Sequence, residues 1–173
     1  MKEKKSYTIH KSKKSQTDKN LSASDNLRRN LERTTYRVDS VRTVKDVEFV
    51  CDSRSSDLLS TRDSFKYLEK PIIWISGKAK HERDYSLIEA YLINKIKGIV
   101  IYGVNGEEAS AVLTKFVKSL KVKVTLAEAV NAAYKMAGKG DVVLYSPSCA
   151  VKDEYLNYVD RGKDFIRMVN ELK

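Results

Sequence analysis

At 173 residues the chain has room for one ordinary domain and a tail, and not for two full domains. Apolar residues make up 42% and charged residues 32%, which suits a sizeable core, while seven Gly, two Pro and two Cys exclude a collagenous chain, a disulfide scaffold and most Cys-rich zinc modules. Lys and Arg number 33 against 23 Asp and Glu, a formal charge of +10.

The charge is uneven. Residues 1–20 carry seven Lys and two acids, with only Met1, Tyr7 and Ile9 as large apolar side chains. Like charge and low hydrophobicity predict a disordered basic tail, which with its linker covers 1–35. Leu27 and Leu31, four apart, give a weak helical signal within 21–35. No apolar stretch approaches the roughly 20 residues that span a bilayer. A soluble, reducing, cytoplasmic setting is the expectation.

From Tyr36 the pattern changes. Tyr36–Thr43 alternates and Val47–Cys51 is apolar and β-branched, which predicts two strands joined by a turn at Lys45–Asp46. Ser56–Leu68 has helical spacing, with Ser55 or Ser56 expected as its cap. Pro71–Ser76 reads as a buried strand, Tyr85–Ile96 as a helix, and Gly98–Gly103 as a second buried strand. Glu107–Leu120 is a predicted helix and Lys121–Val124 a short strand. An Ala-rich helix, Leu126–Ala137, is expected to end at Gly138 and Gly140. Asp141–Tyr145 is a last strand, and Phe165–Leu172 a closing helix.

Apolar strands alternating with helices predict an α/β fold of βαβ units with a mostly parallel sheet and right-handed crossovers. In such a sheet ligands bind beyond the carboxyl ends of the strands. The segments after Cys51, Ser76, Gly103 and Tyr145 are therefore the candidates.

After Cys51 come Asp52, Ser53, Arg54, Ser55, Ser56 and Asp57. Two readings stand. One is an anion site at a helix N-terminus, with Arg54 as a two-pronged clamp; the other is a helix cap with solvated charges. After Ser76 comes a basic loop from Gly77 to Asp84, again either an anion loop or a solvated one. The G-x-x-x-x-G-K-[ST] spacing of a phosphate-cradling loop is absent throughout. His81 and His10 form no metal cluster. Cys149 reads as a buried small residue or, beside a helix start, as an activated thiol. Cys51 reads as core.

In this order the segments resemble the C-terminal domain of the Mur ligases, nearest to the members that add D-glutamate. Tyr36-Arg37-Val38-Asp39 stands at the family's H-R-x-E, and Asp52 to Asp57 at D-S-K-[AG]-T-N. Ile72–Gly77 and the loop Lys78–Asp84 match an apolar strand ending in G-G and a Lys-containing loop. Ala129-Val130 with Gly140–Ala150 matches the A-V and G-D-V-V-L-L-S-P-A-C-A-S segment. Asn157 to Phe165 matches N-[FY]-x-x-R-G-x-x-F. The likeness covers roughly 36–173, and residues 25–35 resemble, weakly, the family's link out of its central domain.

The resemblance implies a Rossmann-like three-layer sandwich with a sheet of about six strands, and nucleotide contacts at Arg37 and Asp52. It implies a substrate or anion set of Ser53, Arg54, Ser56, Lys80, His81 and Tyr158: Arg54 stands at a substrate Lys, Ser56 at a Thr that contacts the D-glutamate carboxylate, His81 (or Lys80, if the loop shifts by one) at a second substrate Lys, and Tyr158 at an aromatic beside the amino acid. Four departures affect the amino-acid pocket: Tyr36 replaces His, Arg54 replaces Lys, Asp57 replaces Asn, and Val151 replaces the last Ser of the S-P-A-C-A-S block. Lys152 then follows at a usually apolar position.

The implied role is a stand-alone C-terminal-like domain related to peptidoglycan precursors, binding nucleotide or anion or regulating, with no catalytic or metal residue of its own. ATP or ADP is the implied cofactor, with Mg²⁺ only if a central domain is supplied in trans. One alternative is the C-terminal part of an ATP-dependent UDP-N-acetylmuramoylalanine–D-glutamate ligase, acting with a separate or deleted ATPase domain. Another is an interaction protein using its basic tail. Expected partners are Mur ligase central and N-terminal domains or other peptidoglycan enzymes; nucleic acid and anionic lipid rank last, since Tyr7 alone offers stacking in the tail.

Overall fold

The computed structural model describes residues 36–78, 83–103, 107–151 and 155–173, with side chains omitted for 107–109. The expected tail 1–35, its helical signal, and the candidates Lys80, His81 and Lys152 lie outside the described residues.

Strands β1 (Asp39–Val44) and β2 (Val47–Cys51) form an antiparallel hairpin. Lys45 and Asp46 both take left-handed φ, 46° and 66°, as a two-residue hairpin turn requires. Neither residue favours that backbone, but tertiary contacts hold it. The Gly140 N–H donates to the Asp46 carbonyl at 2.8 Å, and Lys139 pairs with the Asp46 carboxylate at 3.3 Å.

The chain continues through α1 (Leu58–Tyr67), β3 (Ile72–Gly77), a short 3-10 turn (Tyr85–Ile88), α2 (Glu89–Asn94), β4 (Ile96–Tyr102) and α3 (Glu107–Leu113). It ends with β5 (Leu120–Lys123), α4 (Leu126–Met136), β6 (Val142–Tyr145) and α5 (Tyr158–Asn170). The sheet order is β1-β2-β6-β3-β4-β5, and every neighbouring pair other than β1–β2 is parallel. The six-strand, mostly parallel α/β expectation holds.

Several boundaries differ from the sequence reading. Ile96 leaves the predicted helix and opens β4 opposite Ile72, because β-branched residues favour the strand that Ile99, Val100 and Ile101 continue. The helix from Glu107 stops at Leu113, and Leu120 belongs to β5. The α4 helix closes through Ala137 in extended backbone, and Gly138 instead donates its N–H to the Asp141 carboxylate at 2.7 Å. The last helix starts seven residues early, at Tyr158, because the Asn157 side chain accepts from the N–H groups of Val159 and Asp160.

Alternate strand residues enter two cores. Val50, Trp74, Ile99 and Leu144 face Leu58 and Phe65 of α1, Ile88, Leu92 and Leu113. Phe49, Ile75, Val100 and Tyr145 face Ala129, Val130 and Ala133 of α4 and Phe165 and Val169 of α5. The Phe65 ring meets Trp74 edge-on at 5.4 Å, and the Phe165 ring stacks on Tyr145 at 4.8 Å. The connections β2–β3, β3–β4 and β4–β5 thus cover one face, and the return β5–β6 covers the other, as a single crossover hand demands.

This layout positions the site. The chain leaving β6 goes to the second face, while the chains leaving its neighbours β2 and β3 go to the first. The topological switch, where loops part and leave a crevice, therefore lies around the carboxyl end of β6.

Candidate functional site

Backbone pairing runs one residue past the strands and aligns three loops. The Asp52 N–H donates to the Tyr145 carbonyl at 2.8 Å, Ser146 to Ile75 at 3.2 Å, and Gly77 to Pro147 at 2.9 Å. Asp52 and Ser146 are thereby placed side by side at the switch point.

Asp52 is 2% exposed. Its Oδ2 accepts from Ser64 Oγ at 2.5 Å and from Ser146 Oγ at 2.9 Å. The hydroxyls continue inward, since Thr61 Oγ1 lies 2.8 Å from Ser146 Oγ and within hydrogen-bond reach of Ser55 and Ser148. Ser148 holds a left-handed φ of 54° to join them. Burial pushes the Asp52 carboxyl up to about 6, against the opposing pull of the two serine hydroxyls and the Arg37 and Arg161 charges.

Arg161, 2% exposed, binds both loops together. Its Nε donates to the Ser53 carbonyl at 2.7 Å, Nη1 to Cys149 at 2.9 Å, and Nη2 to Ser55 at 3.0 Å. The same helical turn approaches the first loop closely, for Ser53 Oγ donates to the Tyr158 carbonyl at 2.8 Å. A Cβ on Gly162 would fall 2.6 Å from Ser53 Oγ and 2.4 Å from the Tyr36 ring. Gly162→Ala is expected to lower unfolding free energy by about 1–3 kcal/mol, through displacement of Ser53 and Tyr36. Urea unfolding checks this; an unchanged midpoint and slope would show that the neighbours yield freely.

The residues singled out from sequence fall in three groups. Ser53, Arg54 and Tyr158 meet: the Arg54 guanidinium lies over the Tyr158 ring at 5.2 Å, and the Arg54 N–H donates to the Tyr36 carbonyl at 3.3 Å. Arg37 stands outside this cluster, 4.0 Å from Asp63 on α1, with both side chains about half exposed. Ser56 is exposed and donates to the Asp57 carboxylate at 3.2 Å.

Neither Ser55 nor Ser56 caps α1. Asp57 does, accepting from the Ser60 N–H at 2.8 Å, while the Ser55 hydroxyl turns inward to Thr61. The Ser60 N–H holds the Asp57 carboxyl below the usual carboxylate range. A carboxylate of the chain itself thus occupies the helix N-terminus where an anion was expected.

Cys149 is half-buried against Gly77, and no helix begins at Cys149, which removes the basis for an activated thiol there. Cys51 is fully buried, and burial pushes its thiol up to about 12. Among the described residues no group of three or more His, Cys, Asp or Glu is placed to hold a metal.

Sequence reasoning missed the organisers. Arg161 stood in the N-[FY]-x-x-R-G block without a role, and the hydroxyls of Thr61, Ser64, Ser146 and Ser148 had none either. Arg83, read as part of a basic loop, donates to Ser76 Oγ at 2.9 Å and to the Gly77 carbonyl at 2.8 Å. The signal available was the Arg-Gly pair itself, a large cation beside a residue with no side chain, in an otherwise amphipathic helix.

No protein-family model matches the chain. UDP-N-acetylmuramoylalanine--D-glutamate ligase of Porphyromonas gingivalis is 33% identical over 137 residues, which is 79% of this chain and 30% of that protein. The ligases of the same name from Cytophaga hutchinsonii (33%, 30% of its length) and Cupriavidus pinatubonensis (35%, 27% of its length) match over the same share of this chain. The chain therefore spans under a third of the length of these curated relatives. A solved structure, the MurF ligase from Thermotoga maritima in complex with ADP, is 17% identical with a TM-score of 0.47, over 79% of this chain and 31% of that one.

Proposed function

We propose that this chain, which carries a Mur ligase C-terminal-like domain, binds a nucleotide or a related phosphate-bearing ligand of peptidoglycan-precursor synthesis in the switch-point crevice. It contributes that site to an amide ligation that it does not complete alone. The observation carrying this reading is the joining of the Asp52 loop and the Ser146 loop, which Arg161 locks at the sheet's topological switch point.

The residues present fit one part of a nucleotide site. Arg37 is exposed enough to leave Asp63 and meet a phosphate or a base, and its charge is felt by the buried Asp52 carboxyl. Arg54, spread on Tyr158, offers a second cation on the crevice rim. ATP, when bound in such ligases, supplies the phosphoryl group that activates a carboxylate. These 173 residues contain no G-K-[ST] to hold its terminal phosphates.

The partner in this reading is a central, P-loop-bearing domain of the Mur ligase type. The setting is cytoplasmic, where such precursors are made. Among the described residues no helix is long and apolar enough to cross a membrane.

Isothermal titration with ADP, ATP and UDP-sugars tests the site. Binding is expected in the high-micromolar to millimolar range, lost in Arg37→Ala; no heat at millimolar ligand would sink the reading. Release of ADP by the purified chain with UDP-MurNAc-L-alanine and D-glutamate would overturn the claim that it does not ligate alone.

Asp57 gives a further prediction. Asp57→Asn keeps a capping oxygen and removes a negative charge from the helix N-terminus. Affinity for D-glutamate or inorganic phosphate is expected to rise about three- to tenfold, with a small loss of thermal stability at neutral pH because the ionised cap is removed. Equal affinities in the two proteins would place the anion elsewhere.

A further inference from the structure

Away from the crevice, β5 closes one edge of the sheet, and among the described residues nothing pairs with its outer side. Two ladder bonds fix its orientation: Ile99 N–H donates to the Ser119 carbonyl at 2.9 Å, and Gly103 N–H to Lys123 at 3.0 Å. In a parallel strand the N–H and C=O of one residue point to the same side, with period two. Residues 119, 121 and 123 therefore face β4, and Leu120 and Val122 turn their N–H and C=O outward.

The side chains are ordered as well. Lys121 and Lys123 lie opposite Val100 and Tyr102, whose side chains pack toward α4. They share a cleft of about 400 Å³ with Ala127, Glu128, Asn131 and Lys135 of α4. Among the described residues Lys66, Lys70, Lys97 and Lys139 form ion pairs with carboxylates, whereas Lys121, Lys123 and Lys135 form none, and the Lys123 charge reaches Glu128 only at longer range. The cleft's one carboxylate, Glu128, turns an oxygen to the N–H groups of Val124 and Thr125 at 3.0 and 3.2 Å. On the opposite side of the strand Val122 is 38% exposed, and Val124 follows it at 63%.

We infer that this edge is a docking surface for an extended acidic segment of a protein partner, added as a seventh strand beside β5. The free N–H and C=O of Leu120 and Val122 supply the ladder. Lys121, Lys123 and Lys135 receive carboxylates on the α4 side, and Val122 receives an apolar residue on the other. A lysine-bearing edge resists casual strand addition, so the charge selects an acidic occupant over a neutral one. The chain's own residues 1–35, with ten basic and four acidic side chains, have the wrong sign to fill it. Among the described residues nothing aromatic lines the cleft for base stacking, which favours peptide over single-stranded nucleic acid.

The test uses a fluorescein-labelled peptide of alternating Glu and Val, a block-scrambled peptide of the same composition, and a labelled oligothymidine, each titrated by anisotropy at physiological salt. The alternating peptide is expected to bind at least about tenfold tighter than the scrambled one, and Lys121→Glu with Lys123→Glu to weaken it by about tenfold or more. Val122→Pro removes an outward N–H without breaking the β4 ladder and is expected to weaken the peptide about fivefold. If Val122→Pro does not fold, amide shifts of the wild-type chain on peptide addition serve instead, expected within 119–124 and 127–135. Equal binding of the two peptides, tighter binding of the oligonucleotide, no peptide binding at millimolar concentration, or shifts confined to other segments would each overturn the inference. ADP binding is measured in parallel, and its presence or absence bears only on the crevice.

Discussion

Replacing Arg161 with Met is expected to lower the unfolding free energy by about 3–5 kcal/mol, more than any other single change at the site. The guanidinium is 2% exposed and spends Nε, Nη1 and Nη2 on three carbonyls from two loops. Losing it leaves the carbonyls of Ser53, Ser55 and Cys149 short of donors in a buried setting. Each such loss costs about 1–3 kcal/mol when water does not enter. Removing a buried cation also takes away an opposing charge from Asp52. Arg161→Lys keeps the charge but has a point donor where a planar fork is needed, so it should fall between wild type and Met. Urea unfolding with tryptophan fluorescence is a direct measure, because Trp74 is fully buried and donates to the Ser146 carbonyl within the same cluster. A loss under about 1 kcal/mol would mean that water or a backbone shift satisfies the carbonyls, and that Arg161 does not organise the crevice.

The second large effect concerns acidity. Asp52 is pushed up to about 6 in the folded chain from an ordinary 3.8. The folded state therefore binds this proton more tightly than the unfolded state. Stability from this group is full below about pH 4 and is lost as pH rises through 6, amounting to about 3 kcal/mol by pH 7. Asp52→Asn keeps an oxygen acceptor for Ser64 and Ser146 and removes the charge. It is expected to flatten the fall in stability between pH 4 and 7. At pH 7.5 it should unfold about 1–2 kcal/mol later than wild type, the gain reduced because Arg161 loses its opposing charge. The same variant should bind nucleotide more weakly. Such a gain in stability with a loss of binding marks a group retained for its chemistry. Parallel pH profiles for the two proteins would show that the strain lies elsewhere.

Much of the fold was legible because its signals are local. The runs Ile72–Ile75 and Ile99–Ile101 are too apolar and β-branched for anything but buried strands, and the order of strands and helices implies parallel pairing. Helix ends were less legible. Tyr158–Asp164 reads as polar loop until Asn157 is seen capping it, and Ser55 looks like a cap until its hydroxyl is seen turning to Thr61. Both depend on competition between local and distant hydrogen bonds, which no window of sequence contains.

The candidate site divides in the same way. The motif blocks singled out Asp52 for one set of contacts and Arg54 and Tyr158 for another, and composition alone identified the excess charge. Only the tertiary structure decided which of these groups is buried, what it touches and what its charge does. Asp52 and Ser146 are 94 residues apart, and Arg161 joins carbonyls more than a hundred residues distant as well as one only twelve away. Sequence by itself determined the strands and the mostly parallel sheet, because periodicity and branching act over a few residues. The shape and charge of the crevice, and the lysine-lined cleft along β5, followed from folding, because desolvation and Coulomb forces depend on neighbours in space.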